Sequence, residues 1–295
     1  MNASTSPTGN TMKTKTFTAN AHTYKALYKL AAVVQTGTIN QIIGAYEQAI
    51  ENPLFDSVGW KTNFEKLGTT IHTLKPSFAI FAKSGNSKLP FVSFSTLPGV
   101  TCPGAGDCLN FCYSFSSWRY PAAVMRQLQN AFLLRFNKDA IVQAFTNFDE
   151  KATKAYDLRL YVDGDFSSVE DVKFWFDTIR NTKARVYGYS KSFNELLGYT
   201  GTYPSNYVLN ISSGHSHDKA TIDRVKALPI TRGEFIAVNL GRKIKSNEHG
   251  TIEINKALRE KFGKKAFPCP GSCGSCTGKG HACGMQSLKG LPIII

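Results

Sequence analysis

The sequence lacks any apolar run close to the roughly 20 residues that a membrane-spanning helix needs. Its first residues, MNASTSPTGNTMKTKTF, also lack the apolar stretch of a secretory signal peptide. Cysteine is absent outside two short segments, and its total of 7 is odd, which argues against a disulfide framework. We therefore expect a soluble cytoplasmic protein with no membrane partner, whose thiolates bind metal.

Acidic residues are scarce relative to basic ones. The chain has 21 Asp and Glu against 35 Lys and Arg, a formal net charge of +14 and a pI near 9.4. A positive surface attracts polyanions, although it can also serve solubility alone. Basic residues are grouped between Lys13 and Lys29 and again between Arg242 and Lys265. This grouping favours nucleic acid as a partner.

The first 89 residues predict a tail followed by helices. Residues 1–21 are rich in Ser, Thr, Asn and Lys, which is typical of disorder. Apolar residues at helical spacing predict helices over 22–35 and 38–51, the second capped by Thr38, within a helical extension that covers 22–89. A helix-turn-helix DNA reader is an alternative, but the second helix has no Arg or Lys, so packing on the main domain is favoured.

Residues 90–262 alternate short apolar strands with amphipathic helices, a pattern that predicts an α/β fold with a partial TIM-like (β/α) barrel. The predicted strands are 91–95, 158–162, 185–189, 206–211 and 235–240. The predicted helices are 119–136, 138–148, 168–180, 192–198 and 218–227. A cysteine-rich, metal-binding tail over 263–295 completes the expected organisation.

Polar residues lie at or directly after the carboxyl ends of the predicted strands, where parallel α/β folds place their functional groups. They are Asp163, Gly164 and Asp165, then Ser190 and Lys191, then Asn210 and Ser212, and finally Asn239. Ser and Asn are also ordinary loop formers, and Asp165 or Ser167 could simply cap the next helix. We nevertheless expect these residues to share one face of the barrel.

Three cysteines follow the first predicted strand in TLPGVTCPGAGDCLNFCYSF. Cys102, Cys108 and Cys112 have the spacing C-x5-C-x3-C, and the neighbouring Pro103, Gly104 and Gly106 let backbone amides approach sulfur. Three thiolates can hold a [4Fe-4S] cluster and leave one iron without a protein ligand. Buried free thiols, or zinc completed by His215 or His217, are the alternatives.

This loop resembles that of the radical S-adenosylmethionine (SAM) enzymes, which also follows the first barrel strand and has an aromatic residue before the last cysteine, here Phe111. The spacing departs from the usual C-x3-C-x2-C, so the likeness lies in architecture and cysteine count. The chain also resembles phage and plasmid proteins with a TCPGA loop, a GDF segment and a cysteine-rich tail. If the chain is phage-encoded, the compartment would be the host cytoplasm.

The resemblance implies a cofactor pair and a binding site. The open iron would chelate SAM, and an electron from the cluster, supplied by an electron-donor partner, would release a 5'-deoxyadenosyl radical. The acidic turn Asp163-Gly164-Asp165 would hold the SAM ammonium, and its two carboxylates are the predicted catalytic residues. Other implied SAM contacts come from residues beside the third cysteine and after later strands: Phe111, Tyr113, Ser190, Lys191, Asn210, Ser212 and Asn239.

The tail segment FPCPGSCGSCTGKGHACGM predicts a second metal site. Its ligands are Cys269, Cys273, Cys276 and Cys283, spaced C-x3-C-x2-C-x6-C. Four thiolates this close can enclose Zn²⁺ or a second [4Fe-4S] cluster, and spacing does not choose between them.

The predicted function is a radical SAM enzyme that acts on nucleic acid, DNA in preference to RNA, as an isomerase or modifying enzyme of a hypermodified phage base. A zinc-dependent base-exchange enzyme that uses Asp163 or Asp165 as nucleophile is one alternative. A non-catalytic nucleic-acid-binding protein with two metal knuckles is the other.

Overall fold

A computed structural model describes residues 21–82, 91–110, 112–242, 244–245, 247–263, 265–270, 282–284 and 289–295. The segment 1–21, expected to be disordered, lies outside these residues except for Ala21, where the first helix begins. No helix within the described ranges combines the length and the apolar character needed to cross a membrane.

Three helices form the N-terminal region: α1 (Ala21–Thr36), α2 (Ile39–Ile50) and α3 (Val58–Thr73). The first two confirm the predicted pair, and Thr38 caps α2 through a reciprocal capping box with Gln41. Leu27 and Leu67 are buried in the same apolar cluster as Leu128 of the barrel. The helical extension therefore shares its core with the barrel.

The barrel region contains a seven-stranded sheet in which every pairing is parallel, in the order β1-β2-β3-β4-β5-β7-β6. The sheet curls into a half-barrel, which confirms the predicted fold class. Its strands are β1 (Val92–Ser93), β2 (Tyr156–Leu160), β3 (Ala184–Ser190), β4 (Tyr207–Ser212), β5 (Thr231–Ile236), β6 (Phe267–Pro268) and β7 (Ile293–Ile294).

Helices cover the outer face of the sheet. They are α4 (Pro121–Phe136), α5 (Lys138–Lys151), α6 (Val169–Ile179), α7 (Phe193–Gly198), α8 (Lys219–Lys226) and α9 (Ile252–Phe262). Alternation along β2 sends Leu158 and Leu160 into this apolar layer, where Trp175 of α6 is also fully buried. Arg159, which lies between these two leucines on β2, faces the opposite, concave side, where it lines a cavity.

The fifth strand was predicted over 235–240, which is wrong because the strand begins at Thr231 and ends at Ile236. The polar start of β5 is tolerated since buried Arg232 donates from Nε to Asn210 Oδ1 at 2.6 Å. After Ile236 the chain leaves the strand, and Val238 N donates to Ile295 O. The tail supplies two strands that were not predicted, and β7 lies between β5 and β6.

Candidate functional site

A cavity of about 520 Å³ opens on the concave side, where the carboxyl ends of β2, β3, β4 and β5 meet. All five cysteines of the described residues contribute to its lining: Cys102, Cys108, Cys112, Cys269 and Cys283. Both cysteine groups of the sequence therefore reach one space. The sequence predicted two separate sites, whereas the structure places cysteines of both groups around one cavity.

The cysteine loop, Cys102–Cys112, is held by backbone hydrogen bonds to the loop that follows β4. Gly106 N and Cys108 N both donate to Gly214 O, at 3.0 and 3.2 Å, and Ser216 N donates to Gly104 O at 3.1 Å. Ala105 and His215 form an antiparallel bridge. Main-chain contacts from a neighbouring strand end thus fix the loop.

Gly104 lies where no side chain fits. A Cβ at this position would lie 1.7 Å from Lys191 O and 2.6 Å from His217 Nε2. His217 Nε2 itself is 2.7 Å from Lys191 O, and its ring stacks on Phe193 with centroids 4.7 Å apart. The two histidines considered as zinc ligands are therefore part of the packing around the cysteine loop.

Burial disfavours the thiolate form of two loop cysteines, Cys102 and Cys112, and of the tail cysteine Cys283. Burial, followed by the nearby Asp165 carboxylate, raises the pKa of the Cys102 thiol. Burial also raises the pKa of the Cys112 thiol, and it raises that of Cys283 to about 12. A metal that binds here would have to displace these protons.

No group of three or more His, Cys, Asp or Glu side chains in the described part of the chain is placed to hold a single metal ion. Two of the four tail cysteines, Cys273 and Cys276, lie outside the described residues. The predicted metal sites therefore stay predictions.

Asp165 is the buried carboxylate of the acidic turn, and it lines the cavity. Its Oδ1 accepts from Ser190 Oγ at 2.8 Å and from Phe166 N at 2.8 Å, and its Oδ2 accepts from Lys191 N at 2.7 Å. Burial raises its pKa, against the effect of these donors. It does not cap α6, because Ser168 accepts from Asp171 N there.

Asp163 and Gly164 have different surroundings. Asp163 Oδ2 accepts from Gln127 Nε2 at 2.9 Å, and burial raises the pKa of this carboxyl. Gly164 lines the cavity with a positive φ of 79°, and a Cβ there would lie 2.1 Å from Thr96 Oγ1. Asp165 and Gly164 of the turn thus face the cavity, whereas Asp163 is directed toward α4.

The later strand ends contribute two of their predicted residues to the lining. Lys191 and Ser212 line the cavity, and Lys191 Nζ donates to Ser212 Oγ at 2.8 Å. Ser190 is buried beneath Asp165. Asn210 is buried within the sheet, where it donates to Gly188 O and to Cys283 O.

Three further residues were predicted to contact SAM: Tyr113, Asn239 and Phe111. Tyr113 lines the cavity and donates from its hydroxyl to Val162 O at 3.2 Å. Asn239 is not among the lining residues, and its Oδ1 accepts from Gly241 N at 2.7 Å. Phe111 lies outside the described residues.

The cysteine tail, Cys269–Cys283, contributes to the cavity lining the two cysteines that the structure describes, Cys269 and Cys283. Cys269 N donates to Ile294 O at 2.7 Å, which ties the tail to β7. Asn210 Nδ2 donates to Cys283 O at 2.8 Å. Strand pairing and one buried amide therefore bring these two thiols to the same space as the cysteine loop.

Residues 63–284, well over half of the chain, match the family described as Gene product 88. The chain belongs to the Gene product 88 family. The match covers the cysteine loop, the acidic turn, β1 to β6 and both tail cysteines that the structure describes. Neither the search of curated proteins nor the search of solved structures gives a match.

In this Gene product 88 chain, sequence reasoning missed four residues that line the cavity from the concave face: Arg159, Tyr187, Tyr189 and Phe235. A signal existed in the alternation of β2, since Arg159 lies between Leu158 and Leu160. A charged residue in the middle of a parallel strand is unusual, because such strands are commonly covered by apolar layers on both faces. Tyr187 and Tyr189 show the same alternation on β3.

Proposed function

We propose that this protein is a radical SAM enzyme that acts on nucleic acid as an isomerase or base-modifying enzyme. One observation carries the proposal: three loop cysteines, Asp165 and Lys191 line a single cavity at the carboxyl ends of parallel strands. In α/β barrels, residues at these ends bind the cofactor and the substrate. A cytoplasmic location and an electron-donor partner belong to the same proposal.

The donor set fits an iron-sulfur cluster. Cys102, Cys108 and Cys112 line a common volume, and in a cubane each cysteine binds a different iron. Ligands of a single zinc ion would instead converge on one point, with each sulfur about 2.3 Å from the metal. When bound, the cluster and SAM together would supply a carbon-centred radical.

The chain's own residues would bind and orient SAM. Asp165 is fixed by three donors, yet a carboxylate has about four acceptor positions, so one remains for an ammonium group. Lys191 Nζ lies beside Ser212 Oγ and could bind a carboxylate. A fixed carboxylate and a fixed ammonium group would together recognise the two ends of an amino acid moiety.

The lining would also exclude water from the reacting groups. Leu109, Val162, Phe235 and Ile295 add apolar surface to the cavity. Exclusion of water protects reactive species from side reactions, which is a task of the protein in cofactor-dependent chemistry. The net charge of +14 supports a polyanionic substrate, since it attracts phosphate groups.

SAM cleavage tests the proposal. Anaerobically purified protein is incubated with SAM and dithionite, and 5'-deoxyadenosine is measured by chromatography. We expect product from the wild-type chain and none from Cys108→Ala, because Cys108 would be a cluster ligand. The tail of the variant should keep its metal, which gives an internal control for folding.

Two results would reject this function. One is a wild-type protein that contains zinc but no iron or sulfide, which would favour the zinc-dependent base-exchange alternative. The other is SAM cleavage that persists in Cys108→Ala, since the cysteine loop would then not be the cofactor site.

A further inference from the structure

The concave wall of the cavity carries side chains that SAM binding, as proposed above, does not use. Arg159 comes from β2, Tyr187 and Tyr189 from β3, and Phe235 from β5, and all four line the cavity. They form one surface because β2 pairs with β3 and β4 joins β3 to β5. This surface, the aromatic wall, faces the same space as the cysteine loop.

Arg159 is pre-oriented within the aromatic wall. Its guanidinium carbon lies 4.6 Å from the Tyr189 ring centroid and 5.9 Å from that of Phe91. Its Nη2 donates to Tyr113 Oη at 3.4 Å. Arginine offers five donors in a planar fork that matches the geometry of an oxyanion, and its guanidinium also stacks on aromatic rings.

The rings around Arg159 are held by edge-to-face contacts. Tyr189 and Phe235 have centroids 4.8 Å apart at 73°, and Tyr187 and Tyr189 have centroids 6.1 Å apart at 75°. Such contacts fix ring orientation, so little side-chain entropy would be lost when a planar ligand packs against the wall. Aromatic rings next to a guanidinium are the chemistry that binds a nucleobase together with its phosphate.

We propose that the aromatic wall binds one nucleotide unit, with the base against the rings of Tyr189 and Phe235 and the phosphate on Arg159. The inference rests on the proposed function, whose substrate class it narrows from nucleic acid to a single nucleotide. The aromatic wall belongs to the same cavity as the cysteine loop, so a nucleotide bound there would lie in the space that the loop borders. A free nucleotide fits this chemistry, and so does a nucleotide flipped out of a strand.

The test is binding by isothermal titration calorimetry to the full chain, without SAM or reductant. The probes are the four 2'-deoxynucleoside 5'-monophosphates and the matching deoxynucleosides. We expect at least one monophosphate to bind more tightly than its nucleoside. Arg159→Met should weaken that binding about 10- to 100-fold, the range expected for a hydrogen-bonded ion pair. Arg159→Lys keeps the charge but loses the planar fork, so its affinity for the monophosphate should lie between those of the wild type and Arg159→Met.

Arg185→Met is the matched control. Arg185 lies on β3, pairs with Asp157 at 2.9 Å, and has a side chain that is 62% exposed outside the cavity lining. Arg185→Met removes one positive charge, as Arg159→Met does, but from the neighbouring strand β3 and outside the cavity. It should therefore leave nucleotide binding unchanged. Equal weakening by Arg159→Met and Arg185→Met would overturn the proposal, as would the absence of binding by any monophosphate.

A single-stranded oligonucleotide separates the two sources of the ligand. Competition with the bound monophosphate, lost in Arg159→Met, would assign the site to a nucleotide within a strand, and the absence of competition would assign it to a free nucleotide. Binding that depends on Arg159 in a chain that does not cleave SAM would keep this site and reject the radical function. SAM cleavage without nucleotide binding would keep the radical function and reject the nucleotide site.

Discussion

The cysteine loop and the cysteine tail reach the same cavity but are held in different ways. The loop depends on close contacts between backbones, such as the two amides that donate to Gly214 O. The tail depends on strand pairing through β6 and β7 and on the side chain of Asn210. A substitution that adds a side-chain atom should therefore disturb the position of the loop. A substitution that removes a hydrogen-bonding side chain should disturb the position of the tail.

This difference follows from where each segment lies along the chain. The loop directly follows β1 and is surrounded by the ends of later strands, so little space remains for side chains. The tail follows α9 and meets the sheet at its far edge, where β7 pairs with β5. A substitution that breaks one type of contact should therefore displace one segment and leave the other in place.

The largest expected effect is that of Gly104→Ala. The added methyl group would collide with the Lys191 carbonyl, which is backbone and cannot rotate away. Displacement of the loop by about 1 Å should lower SAM cleavage about 100-fold. In the metal-free protein, alkylation of Cys102 and Cys108 by iodoacetamide should become faster, which mass spectrometry can measure.

Gly44→Ala is the control for this substitution. Gly44 lies in α2, and a Cβ there meets nothing within 4 Å. Because alanine favours a helix over glycine by about 1 kcal/mol, the variant should be slightly more stable and fully active. Unchanged alkylation and activity in Gly104→Ala would contradict the close backbone contact described for the loop.

Asn210→Ala should release the tail without disturbing the loop. The substitution removes an acceptor from buried Arg232 and a donor from the Cys283 carbonyl. A buried polar group that loses its partner costs about 2 kcal/mol, which urea denaturation can measure. Limited proteolysis should cut the tail faster in this variant than in the wild type.

Asn63→Ala is the matched control, because Asn63 makes an exposed hydrogen bond to Gly59 O within α3. It should change stability by less than about 0.5 kcal/mol. If the tail of Asn210→Ala resisted proteolysis as the wild type does, Asn210 would not be its anchor.

The smallest expected effect is an acid sensitivity of the loop contacts. Burial, followed by the nearby His217 and Lys191, lowers the pKa of His215 below its usual 6.5. The folded state therefore disfavours the imidazolium, so this contribution to stability is present above about pH 6.5 and is lost as the pH falls further. His215→Gln should have a shallower fall in Tm between pH 7 and pH 5 than the wild type. An identical fall would contradict the role given to His215 burial.

The sequence predicted the features that depend on local pattern. Alternating strands and helices predicted the half-barrel, and the polar residues after strands predicted that Asp165, Lys191 and Ser212 lie together. The strand β5 was misplaced because its stability comes from long-range contacts of Arg232, which no local pattern reveals. The meeting of Cys269 and Cys283 with the loop could not be predicted either, since it depends on β7 pairing with β5 across the sheet.

The metal content of anaerobically purified protein tests the central claim most directly, that the three loop cysteines bind an iron-sulfur cluster. We predict a brown protein with broad absorption at about 400 nm and roughly four to eight irons per chain, from one or two cubane clusters. Simultaneous replacement of Cys102, Cys108 and Cys112 by alanine should remove about four of these irons. A wild-type protein with zinc and no iron or sulfide, or a triple variant with an unchanged iron content, would contradict the account.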